Sequence, residues 1–197
     1  MGNTNFPDLL ELLLNVGKVA PYLLMMMQGI VALVGLYLTG SALVELWGVS
    51  HDNAMKYVAG RQRFSTGSAL ITLVVGALFS ALSTLSLMGI VGRTVSGDYV
   101  NSRIMPESMS YAAGASLTDK GAAATIVLLS IMQVVGFVAM CKALFTVNRY
   151  YNNQQASMGS AAGWALGGAL CWNFQWFSNV LNNTVGFEVI KIFTPFI

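Results

Sequence analysis

Apolar residues run along this chain in blocks too long for an ordinary soluble core. Tyr22 to Val44, Phe64 to Gly92, Gly121 to Cys141 and Tyr150 to Phe187 contain no Asp, Glu, Lys or Arg. A helix rises about 1.5 Å per residue and bilayer hydrocarbon is about 30 Å thick, so about 20 apolar residues cross it. Each block meets that length, and the pattern predicts four transmembrane helices. Polar connections are expected from Gly48 to Arg63, from Arg93 to Lys120 and around Asn148 to Ser157. The expected fold is an all-α integral membrane protein with four transmembrane helices arranged as two tandem helical hairpins.

Ahead of the first block, Asn5-Phe6-Pro7-Asp8 reads as a helix start, with Asp8 and Glu11 at the positive end of the dipole. Leu9, Leu10, Leu12, Leu13, Leu14 and Val16 alternate with Asn15 and Lys18, which predicts an N-terminal amphipathic helix on the membrane surface. A plain extension of the first span through Pro21 is the other reading, because proline is tolerated in membrane helices. A cleaved signal peptide is not expected. No positive residue precedes the apolar run, and the small-residue cleavage pattern is missing.

The chain also repeats itself. Ser65-Thr66-Gly67-Ser68-Ala69 opens the second block and Ser157-Met158-Gly159-Ser160-Ala161 the fourth, and Gly76-Ala77-Leu78 answers Gly168-Ala169-Leu170 at the same spacing of 92 residues. Gly35, Ala42 and Leu43 match Gly136, Ala143 and Leu144 at a spacing of 101. A duplicated two-helix unit follows, dividing the chain into residues 1–92, a connection at 93–120 and residues 121–197. A unit that crosses twice returns to its starting side, so the copies are parallel and an inverted-repeat transporter is disfavoured.

Composition narrows the function. Residues are 55% hydrophobic and only 9% charged, against about 25% charged in soluble domains, which excludes a water-soluble globular protein. A net charge of +2 is too slight for an electrostatic footprint on DNA or RNA, so sequence-specific nucleic-acid binding is not expected. Cys141 and Cys171 lie in apolar blocks and read as small packers rather than a disulfide. His51 has no Cys or second His near it, so neither metal nor cofactor is expected. Paired carboxylates, a nucleophile beside a base and a phosphate-binding loop are all lacking, and an enzyme is not expected.

What the membrane segments do carry is contact chemistry. Gly159, Gly163 and Gly167 recur every four residues and place three missing side chains on one face, with Gly168, Gly67 and Gly76 as further small positions for helix packing. Gln175, Asn179 and Asn182 share a face at helical steps and predict either contacts to another helix or the lining of a lumen; an interfacial position beside Trp172 and Trp176 is the blander alternative. Glu45 and Lys142 occupy equivalent elements of the repeat and form a possible ion pair, against which stands simple snorkelling to the headgroups. Positive residues divide evenly between the two sides, but Lys56, Arg61 and Arg63 crowd one short loop. That crowding predicts cytoplasmic hairpin loops and periplasmic termini.

These residues together resemble a family: the small inner-membrane proteins of type IVB secretion and IncI-type conjugation, the DotE/IcmC and TraQ group. The resemblance lies in the Asn5-Phe6-Pro7-Asp8 start with its leucine helix, in Met132-Gln133-Val134-Val135-Gly136-Phe137, and in Gly167-Gly168 with Asn173 and Asn182-Asn183-Thr184. Each hairpin is also similar to a conjugative pilin, two apolar helices joined by a short basic loop. The resemblance implies a bacterial inner-membrane subunit of a cell-envelope export complex, homo-oligomeric or joined to a DotA/TraY-like channel protein. The expected role is a non-enzymatic subunit that forms or braces a transmembrane conduit. A pilin-like subunit of a conjugative pilus is the second reading, and an independent small transporter or channel the third.

Overall fold

The computed structural model describes residues 9–50, 66–97, 117–152 and 155–185. Helix is the only regular structure among them, in the order α1 (Leu9–Ser50), α2 (Thr66–Ser83), α3 (Ser86–Ser96), α4 (Leu117–Tyr151), α5 (Met158–Trp172) and α6 (Phe174–Val185). Three helices contain stretches long and apolar enough to cross a bilayer: Asn15–Ser50, Thr66–Ser83 and Val127–Tyr151.

α1 is a single helix of 42 residues with Pro21 inside it. The leucine-rich start is therefore continuous with the first span and is not a separate surface helix. Proline removes one backbone hydrogen bond, whereas ending the helix would leave four carbonyls unpaired in an apolar run. The expected third span also grows. α4 runs to Tyr151 and takes Asn148, Arg149 and Tyr150 out of the expected connection and into the helix.

The second and fourth blocks are each broken in two. α2 stops where Ser80, Ser83 and Thr84 turn their hydroxyls back onto the carbonyls of Gly76, Ser80 and Ala81. Hydroxyls that accompany the backbone in this way compete with helical hydrogen bonding and, in lipid, satisfy carbonyls that the break sets free. Leu85 then adopts a left-handed φ of 59°, and the Gly89 amide donating to the Leu85 carbonyl starts α3. Gly97, at φ 78°, closes α3 with its amide on the Arg93 carbonyl. In the fourth block Ser157 caps α5 by accepting from the Ser160 amide at 3.1 Å, and Asn173 stands alone between α5 and α6. α5 has 15 residues and reaches about 22 Å at 1.5 Å per residue, short of the hydrocarbon thickness of about 30 Å. The single fourth span expected from the pattern is thus two consecutive shorter helices.

Two compact units divide the chain, and each draws on both copies of the repeat. The first comprises residues up to Met26, Val91–Phe137 and Ala169 onward. Ala20, Leu24, Val127, Phe137 and Trp172 are buried in it, and a Cβ on Gly17 would run into Val127. The second comprises Met27–Ile90 and Val138–Gly168. Phe79 and Leu82 are fully buried there, with the Phe79 ring centroid 4.7 Å from that of Phe145. Apolar side chains also face outward. Tyr22, Met25, Leu33, Leu36 and Tyr37 of α1 are 65–73% exposed, which suits a lipid solvent and would be an aggregation hazard in water.

Candidate functional site

Small residues do bring helices together in the second unit, at Gly35 of α1 and Gly76 of α2. A Cβ on Gly35 would lie 3.0 Å from the Ser80 backbone nitrogen and 3.1 Å from the Gly76 carbonyl oxygen. One on Gly76 would lie 2.9 Å from the Thr39 nitrogen and 3.2 Å from the Gly35 oxygen. The contact is reciprocal: Thr39 Oγ1 donates to the Gly35 carbonyl at 2.9 Å and Ser80 Oγ to the Gly76 carbonyl at 3.1 Å. Each glycine faces the hydroxyl residue of the other helix, four positions after that helix's own glycine. Backbones this close gain dispersion contact along both helices, the driving force left where lipid is as apolar as the side chains.

The other small positions fall differently. Gly168 is buried and Gly67 exposed. At Gly159, Gly163 and Gly167 a Cβ would meet none of the described residues within 4 Å. Among the described residues, none packs against the glycine face of α5. Gly159 and Gly163 are exposed and Gly167 is half-buried.

A hydrogen-bonded clasp joins α2 to the end of α4. Thr72 Oγ1 donates to Asn148 Oδ1 at 3.1 Å, Ser68 Oγ to Asn152 Oδ1, and Asn152 Nδ2 to Asn148 Oδ1 and the Asn148 carbonyl at 3.0 and 2.8 Å. Asn152 Nδ2 also reaches Thr72 Oγ1 at 3.4 Å. The apolar pattern assigns Asn148 and Asn152 to a connection, where polar residues draw no attention. Their spacing of four is the available signal, and it becomes a shared face once the helix extends. Asn152→Ala removes the donor and strands hydroxyl partners; a loss of about 1–2 kcal/mol is expected from the typical worth of such bonds. Denaturation in mild detergent measures it, and an unchanged midpoint would count against the clasp.

Glu45 and Lys142 are not brought together as the ion pair that their places in the repeat allow. Glu45 is buried on α1, whereas the exposed Lys142 holds its Nζ 3.7 Å from the centroid of the Trp164 ring. A long cationic side chain on an apolar helix finds an aromatic face on α5. Lys56, Arg61 and Arg63 lie outside the described residues.

Gln175, Asn179 and Asn182 are half-buried on α6. The deeply buried polar residues are others: Ser130 and Gln133 on α4, Asn173 at the junction, and Ser178 on α6, all at 2% exposure or less. Asn173 Nδ2 donates to the Ala169 carbonyl at 2.9 Å. Its Oδ1, with Gln133 Nε2, Trp172 Nε1 and Ser178 Oγ, has no hydrogen-bond partner among the described residues. Gln133, the one amide in the third apolar block, is the available signal in the sequence. Among the described residues no three His, Cys, Asp or Glu side chains gather into a metal-sized group.

No family model, curated protein or solved structure matches this chain.

Proposed function

We propose that the chain is a non-enzymatic, oligomerising inner-membrane subunit of a type IVB secretion or conjugation apparatus, and that it helps to form or brace the transmembrane conduit. One observation supports the oligomerising part above all: Gly159, Gly163 and Gly167 line up on α5 with none of the described residues within 4 Å of a Cβ placed there. Four-residue glycine spacing lets a second backbone approach closely, and no described helix of this chain takes that place. The half-buried Gln175, Asn179 and Asn182 supply polar contacts or lumen lining on the next helix. The choice of apparatus comes from the sequence resemblance alone, with a DotA/TraY-like channel protein as the partner and pilin-like hairpins as the building plan.

The test is capture from the native host. A tagged chain is crosslinked gently, extracted in mild detergent, and its companions are identified by mass spectrometry. Recovery with a large polytopic channel protein and envelope-core subunits is expected. Recovery as a homo-oligomer alone would overturn the apparatus reading, and surface filaments built of this chain would replace it with a pilus subunit.

A further inference from the structure

We propose that Lys142 and Trp164 form a docking point, within the bilayer, for a transmembrane helix of a different protein that carries an Asp or Glu near its middle. The inference rests on the glycine face of α5 as an assembly surface and adds what that surface selects.

Depth is fixed by contacts within the second unit. Gly35 of α1 lies against Ser80 of α2, the Phe79 ring of α2 meets that of Phe145 on α4, and Lys142 precedes Phe145 by one turn. The clasp of Ser68 with Asn152 and Thr72 with Asn148 makes α2 and α4 antiparallel, and both helices run away from it toward this level. Lys142 is thus level with Gly35 on α1. Gly35 stands 10 positions before Glu45 and 17 after Lys18, the charges that bound the apolar run of that helix. At 1.5 Å per residue the nearer of the two is about 15 Å away. A lysine's four-carbon stem falls well short of that, so Lys142 does not reach the headgroups by snorkelling.

Direction is the second observation. Lys142 is exposed, and its Nζ lies 3.7 Å from the centroid of the Trp164 ring, itself 40% exposed. Cations inside a membrane almost always face the bundle interior or a water-filled cavity and pair there. This one is on the outer side of its unit. An aromatic face attracts a cation but leaves its charge in place, so hydrocarbon is a poor cover for this point and a carboxylate is the group that completes it.

Charge complementarity then selects the kind of chain. All eight Asp and Glu residues lie outside the four charge-free blocks, and Glu45, which borders the first, is buried. A second copy therefore has no carboxylate to offer at this depth, and the helix belongs to another protein. Trp164 borders the glycine row, with Gly163 just before it and Gly167 one turn on. At neither glycine would a Cβ meet a described residue within 4 Å. A backbone seated there comes close enough to set its carboxylate beside the Lys142 Nζ.

A designed probe tests the pairing. The full-length chain, labelled on a terminal tag, is placed in phosphatidylcholine vesicles with polyleucine transmembrane peptides of about 20 residues that carry Asp, Asn or Leu at the centre, and association is read by energy transfer. The Asp peptide is expected to associate at least about tenfold more tightly than the Asn peptide, with Lys142→Arg keeping that preference and Lys142→Met losing it. If Lys142→Met is not recovered folded, Lys142→Gln takes its place. Equal association of the Asp and Asn peptides would overturn the proposal. In that event, loss of all association in Gly163→Leu would leave the glycine face as an assembly surface without a charge preference, so the two readings fail separately. A preference that disappears when phosphatidylglycerol is added would also overturn the proposal, because an anionic headgroup then holds Lys142.

Discussion

Gly76→Leu is expected to unfold the α1–α2 contact, and even Gly76→Ala to lower stability by about 3 kcal/mol, the upper end of overpacking costs. A single methyl there would come within 2.9 Å of the Thr39 nitrogen, a backbone atom that cannot rotate away. The hydroxyl of Thr39 stands in the same space, and moving it breaks its bond to the Gly35 carbonyl. Gly35→Ala should behave alike, since its methyl would meet the Ser80 nitrogen at 3.0 Å. Gly40→Ala is the comparison, because no described residue lies within 4 Å of a Cβ there and alanine in an open helix gains about 0.5–1 kcal/mol over glycine. Denaturation curves in detergent should thus move in opposite directions for Gly76→Ala and Gly40→Ala. If both shift alike, the Gly35–Gly76 contact does not hold the helices together.

Gly163→Leu is expected to do the reverse, leaving the monomer folded while weakening association at least tenfold, about 1.4 kcal/mol. Its side chain meets none of the described residues at the Cβ, so helical content and Tm should stay near those of the parent. Against a second helix the same leucine would hold two backbones apart and forfeit their contact. The particle mass in mild detergent, measured by light scattering with the detergent subtracted, reads the difference. An unchanged mass would show that the glycine face meets lipid. A mass that falls together with Tm would point to misfolding and would give Gly163 a role in the fold rather than in assembly.

The two glycine sets show how far a spacing can be read. Gly159, Gly163 and Gly167 carry the more regular pattern, yet among the described glycines it is at Gly35 and Gly76 that the backbone of one helix meets the backbone of another. Gly76 is visible as part of the repeat, whereas Gly35 stands out only through its weak match to Gly136. Neither spacing says which helix comes near. A missing side chain permits approach without directing it, and direction is set by which helices the connections and the remaining side chains bring together.

The polar residues divide in the same way. Gln175, Asn179 and Asn182 form the conspicuous amide face and are half-buried, while Gln133, Asn173 and Ser178, scattered singly among apolar neighbours, are sealed inside. Amide periodicity identifies a face, but burial depends on what stands opposite, which lies distant in sequence. Asn148 and Asn152 become recognisable as partners of Ser68 and Thr72 only because α4 continues to Tyr151.

By itself the sequence determined the solvent and the element type. Charge-free blocks of bilayer length and a charged fraction of 9% leave helix as the structure that satisfies its own backbone in lipid, apart from a closed barrel. Tertiary structure decided continuity and partnership: that α1 passes through Pro21, that the second and fourth blocks break at Thr84–Leu85 and Asn173, and that Gly35 meets Gly76. The physical reason is one of range. Hydropathy is a local property summed along the chain, whereas a break or a close approach is settled by whether freed carbonyls and missing side chains find their complement on a helix dozens of residues away.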